Sequence, residues 1–117
     1  MNIEEFKKLP LMGIVRGVKE EAIEPLVEAV ASSGLKTIEI TMNTPKASEL
    51  IKKMIACAKG RLFIGAGTVL TMDDLQLALG SGATFIVSPT LVTDVVEYCA
   101  KKQCSGFSGS VHASRNL

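Results

Sequence analysis

Glu39 stands in the middle of "TIEITMNT", residues 37–44, a run whose β-branched content suits a buried strand. A carboxylate there is costly unless it is paired or used, which makes Glu39 the first candidate for proton transfer. Side chains alternate along a strand, so Thr37, Glu39 and Thr41 share one face while Ile38, Ile40 and Met42 share the other. Three other segments at strand exits carry groups for a small anion: Arg16-Gly17, Gly65-Ala66-Gly67-Thr68 and Ser88-Pro89-Thr90. Backbone amides in such loops, with an arginine and hydroxyls beside them, suit a carboxylate ligand.

Other chemistries fit less well. "GAGTVL" lacks the last glycine of a dinucleotide fingerprint and has no phosphate-loop lysine. Its glycines read equally as a tight strand-to-helix turn, and Arg16 equally as a surface ion-pair partner. Cys99, Cys104 and His112 match no standard zinc spacing, so no metal site is assigned. The single histidine, His112, lies in an unpatterned tail, which leaves no Ser-His-Asp or Cys-His arrangement. Met12, Met42, Met54 and Met72 read as core filling, and Lys52-Lys53 as a solvated helix face.

The chain's 117 residues suffice for one compact domain. Thirteen Lys and Arg balance twelve Asp and Glu, and no basic stripe points to nucleic acid. The start, Met1-Asn2-Ile3-Glu4-Glu5, is acidic where a signal peptide is basic, and no apolar run approaches the ~18 residues of a membrane span. A cytoplasmic location without a membrane partner is the expectation, and three cysteines, Cys57, Cys99 and Cys104, suit a reducing compartment.

Four β-rich runs recur roughly every 25 residues, the length of a strand plus a returning helix: "LMGIV", "TIEITM", "LFIGAG" and "ATFIVS". Between them, residues 20–33 carry a helical apolar stripe closed by Gly34. Thr44-Pro45 reads as a capping hydroxyl plus first-turn proline for a helix running to Gly60. Thr71 opens a third helix with Asp73 and Asp74 in its first turn, and a fourth is expected over 93–102. The alternation predicts an α/β fold with a parallel sheet, whose chemistry lies beyond the C-terminal strand ends. It does not separate an open sheet from part of a (β/α) barrel. A polar row pointing inward favours the barrel; an edge strand with one wet face is the alternative.

"GIVRG", "IEITMNTP", "GAGTVLT" and "FIVSP", in this order and spacing, resemble the first half of the bacterial 2-dehydro-3-deoxy-6-phosphogluconate (KDPG) aldolases, which also cleave 4-hydroxy-2-oxoglutarate (KHG). The resemblance covers about residues 6–103. It implies a (β/α)8 TIM barrel, here about four β/α units or half a barrel, usually assembled as a trimer. It implies a class I aldolase without metal or other cofactor, acting on a small 2-keto acid: a lysine forms a Schiff base and a glutamate moves the proton that permits carbon-carbon cleavage, releasing pyruvate and an aldehyde. The glutamate falls on Glu39, a carboxylate-binding hydroxyl on Thr68, a pocket-lining residue on Pro89 and a first-strand arginine on Arg16. Asn43 stands where the best-known members carry an arginine that grips the carboxylate, so Arg16 is left to supply the charge.

The resemblance puts the Schiff-base lysine on a sixth strand, beyond these residues. Lys36, Lys101, Lys102, Lys19 and Lys46 all sit wrongly to replace it. A catalytically inactive half barrel is therefore the alternative function, and a small open-sheet ligand-binding domain a third. Residues 104–117, "CSGFSGSVHASRNL", show no strand or helix period. Written in allowed codons and read one base later, they give VPVFPGAFTPQEI, similar to the family's fifth strand and loop. The expectation is a frameshifted continuation, which the coding DNA past Gln103 decides.

Overall fold

The computed structural model describes residues 3–88. Pro89, the helix expected over 93–102, Cys99, Cys104, His112 and the tail from residue 104 lie outside the described residues. Helix α1 (Ile3–Lys8) precedes strand β1 (Gly13–Val15). A single 3-10 turn, Glu20–Ala22, then leads into α2 (Ile23–Ser33), β2 (Thr37–Thr41), α3 (Ala47–Ala58), β3 (Phe63–Gly67) and α4 (Met72–Gly80). The alternation read from the pattern is present, with α1 as an addition.

The strands pair in parallel in the order β1-β2-β3, with Ile14 opposite Glu39 and Glu39 opposite Gly65. The fourth expected strand lies alongside β3 at a bridge between Ala66 and Ile86, with Thr84 N–H donating to Ile64 O (2.9 Å), Ala66 N–H to Phe85 O (3.1 Å), Val87 N–H to Ala66 O (2.8 Å) and Val69 N–H to Val87 O (3.3 Å). Each crossover therefore steps one strand further in the same direction. Right-handed crossovers of that kind put every helix on one face of the sheet.

The core lies on that face. Ile38 and Ile40 of β2, Ile64 and Ala66 of β3, and Ile86 pack with Ile23 and Val27 of α2, Leu50, Ile51 and Met54 of α3, and Leu75 and Ala78 of α4. Each fully buried large aliphatic side chain contributes about 2 kcal/mol of hydrophobic free energy. β2 is the central described strand and all five of its residues are buried, so the wet edge-strand alternative for Thr37, Glu39 and Thr41 is incorrect. Among the described residues no helix is long and apolar enough to cross a membrane.

Local signals succeed where no distant partner competes. Gly34 ends α2 at φ 92°, a left-handed cap that costs glycine nothing. Thr71 caps α4 by accepting from the Asp74 N–H at 3.1 Å. The Arg61 side chain donates to the Ala58 and Cys57 carbonyls at the end of α3 and forks onto both Glu28 oxygens of α2.

Thr44-Pro45 does not open α3, which begins at Ala47 after Lys46 in a left-handed conformation. The Thr44 hydroxyl instead accepts from the Gly17 N–H (3.0 Å) and bonds the Thr41 hydroxyl (3.0 Å). It ties the loop after β1 to the end of β2, and the tertiary bond displaces the local cap. Thr44→Val is expected to cost about 1 kcal/mol by stranding these two partners, while Thr44→Ser keeps most of the stability. Urea midpoints at unchanged slope read the difference.

Candidate active site

Glu39 sits on the sheet face opposite the helices, 4 % exposed, between edge strand β1 and the glycines of β3. A β-carbon added at Gly67 would lie 2.6 Å from the Glu39 carboxyl carbon, so any larger residue there requires the carboxyl group to shift. A β-carbon at Gly65 would enter the Phe85 ring, which occupies the space over that position. Both glycines lie within β3 and neither has a positive φ. The reading of "GAG" as a tight turn is thus incorrect; the glycines make room for a carboxyl group and a ring.

This burial has an electrostatic result. Loss of water raises the Glu39 pKa from its ordinary 4.5 to about 7, and the Arg16 guanidinium offsets part of that rise. Glu39 Oε2 is buried without a hydrogen-bond partner, as is Thr37 Oγ1 two residues behind it on the same face. The carboxyl group is therefore poised to exchange a proton near neutrality.

The remaining candidates follow the strand exits. Arg16 is exposed in the loop after β1, held beside the end of β2 by the Gly17–Thr44 bond. Asn43 is exposed in the turn after β2, and Thr68 is half-buried directly after β3. The ends of those strands are joined by the Met42 N–H donating to Gly67 O at 2.8 Å. Thr68 has φ 53°, a left-handed conformation that costs a β-branched residue about 1–2 kcal/mol. Strain of this kind at a strand exit is a mark of functional sites. Pro89 lies outside the described residues. The pattern analysis missed Phe85, Thr44 as a tie, and the space-making role of Gly65 and Gly67; only the i, i+2 spacing of the glycines carried a signal.

Comparisons with known proteins identify the family. A sequence model of the KDPG and KHG aldolases matches residues 3–115. The chain is 33 % identical over 97 residues to a 2-dehydro-3-deoxy-phosphogluconate aldolase of Haemophilus influenzae, covering 83 % of this chain and 45 % of that protein. It is 36 % identical over 93 residues to a probable 2-dehydro-3-deoxy-6-phosphogalactonate aldolase of Rhizobium meliloti, covering 80 % and 44 %. The fold matches a crystal structure of the Legionella pneumophila KDPG aldolase with pyruvate captured as a covalent carbinolamine. There the TM-score is 0.73 and the identity 28 %, over 79 % of this chain and 44 % of that one. The chain thus spans under half the length of the curated relatives it matches. With a match across nearly all its residues, the chain belongs to the KDPG and KHG aldolase family.

Proposed function

We propose that this chain is the first half of a (β/α)8 barrel of a class I aldolase that cleaves 2-keto-3-deoxy sugar acids, KDPG or KHG, to pyruvate and an aldehyde. The observation that carries the reading is Glu39, a buried carboxyl group ionising at about pH 7 on the face away from the helices. Strands in chain order with their helices on one side support the barrel over an open doubly wound sheet, in which the winding reverses.

In the proposed reaction a lysine amine from outside the described residues condenses with the 2-keto group and expels water, leaving a protonated imine. Glu39 takes the proton of the C4 hydroxyl as the C3–C4 bond breaks. The bond's electron pair moves into the imine to give an enamine, and the hydroxyl carbon becomes the aldehyde. Glu39 then returns a proton to C3, and water releases pyruvate. Arg16, Asn43 and Thr68 surround the substrate carboxylate, and Pro89 lines the pocket. A group working in both directions needs a pKa near the operating pH, which burial gives Glu39.

One observation favours a second reading, a half barrel that binds keto acids without catalysis. Among the described residues every lysine is exposed except half-buried Lys53, which donates to Glu20 O at 3.4 Å. Lys19 and Lys46 line a separate groove of about 390 Å³ with Glu20, Glu21 and Glu49. Borohydride reduction in the presence of pyruvate separates the readings. A pyruvyl-lysine adduct seen by mass spectrometry is expected where a lysine of this chain carries out the catalysis. Its absence at saturating pyruvate sinks catalysis by this chain and leaves binding alone.

A further inference from the structure

Two oxygen atoms on the inner face of β2 have no hydrogen-bond partner: Thr37 Oγ1 and Glu39 Oε2. Both residues are more than nine-tenths buried, Thr37 completely. They are two positions apart on one strand, so their α-carbons are about 6.6 Å apart with side chains parallel. One water making two hydrogen bonds of about 2.8 Å joins oxygens up to about 5.6 Å apart, which parallel side chains at this α-carbon spacing reach by leaning toward each other. Burying a hydroxyl and a carboxyl oxygen with no partner at all is costly, and buried water commonly bridges such groups.

The neighbours offer nothing in its place. Opposite Thr37, Glu39 and Thr41 on β3 are Phe63, Gly65 and Gly67, which carry no side-chain donor. On β1, Ile14 faces Glu39, and the Phe85 ring lies over Gly65. The Thr41 hydroxyl is engaged with Thr44. Arg16 is the charged group that bears on Glu39.

We propose that Thr37 is a positioning residue, whose hydroxyl anchors a buried water that also bonds Glu39 Oε2 and fixes the orientation of the carboxyl group. The proposal rests on Glu39 being the proton carrier, but its test needs no turnover. A water donating to the ionised carboxylate favours that form, so losing its anchor makes Glu39 harder to ionise.

The experiment is a carboxyl-carbon NMR titration of Glu39 in the native chain, Thr37→Val and Thr37→Ser. The native midpoint is expected near 7. The valine variant is expected to titrate about one pH unit higher, the scale of one hydrogen bond to a charged group. The serine variant, which keeps the hydroxyl, is expected to return to the native curve. A valine curve that coincides with the native one, or a serine curve that follows the valine one, overturns the proposal.

If Thr37→Val does not fold, a high-resolution crystal structure of the native chain decides. An ordered water within about 3.2 Å of both oxygens is expected, and a structure without one overturns the assignment. Failure of borohydride trapping with the titrations as expected would sink catalysis by this chain alone. Successful trapping with an unmoved valine curve would sink the role of Thr37 alone.

Discussion

Glu39→Gln is expected to stabilise the folded chain by about 3 kcal/mol at about pH 8 and by almost nothing near pH 4. The carboxyl group ionises near pH 7 in the fold and near its ordinary 4.5 in the open chain. Between those values the folded state holds a proton that the unfolded state has released, so native stability falls as pH rises through the window. Below about pH 4.5 both states are protonated and the native contribution is intact. Above about pH 7 the fold carries a buried anion whose oxygen Oε2 has no partner from the described residues, and the full loss is reached.

Glutamine keeps the shape and stays neutral, so its stability should not follow that slope. Chemical denaturation of both proteins across the window checks the expectation, with a melting-temperature difference of about 10 °C at the alkaline end. Curves that run parallel at every pH would sink the burial argument for Glu39. The same substitution removes the proton carrier of the proposed reaction, so stability and catalysis trade against each other at this position.

Gly67→Ala is expected to destabilise the chain by about 1 kcal/mol, at the lower end for overpacking a buried site, because the clash is with the far end of a flexible side chain. The added carbon would meet the Glu39 carboxyl group at a distance real β-carbons do not show. Either the carboxyl group moves or β3 shifts, and both change how deeply Glu39 is buried. Its titration midpoint should therefore leave the native value along with the loss of stability. Gly80→Ala at the end of α4 is the control, since a β-carbon there meets nothing within 4 Å. It should be neutral or slightly stabilising, because alanine is the better helix former. An alanine at 67 that leaves both stability and the Glu39 titration unchanged would mean that the glycine is not needed to seat the carboxyl group.

What the sequence made legible was what one strand or one helix end decides for itself. Alternation in residues 37–42 assigned Glu39 and its two threonines to one face, and the structure has them buried there. Gly34 and Thr71 announced their helix ends because the cap bonds are made within a few residues. Thr44 misled because its hydroxyl finds Gly17, 27 positions away, a partner no local pattern contains. "ATFIVS" has the composition of a strand and lies alongside β3, tied by four backbone hydrogen bonds between residues 84–87 and 64–69. Gly65 and Gly67 were visible as glycines, yet their purpose appeared only with the β2–β3 register, which sets them against Glu39. The family motifs named the candidate residues; the environment that makes Glu39 a neutral-pH acid came from tertiary contacts.

The sheet's inner face is sealed unevenly. Glu39 is closed over, while Ile14, its partner on β1, is 67 % exposed. Desolvation sufficient to bring the carboxyl group to about pH 7 is thus complete before anything covers β1. The proton-handling property is present in this chain with one side of the sheet still open at Ile14.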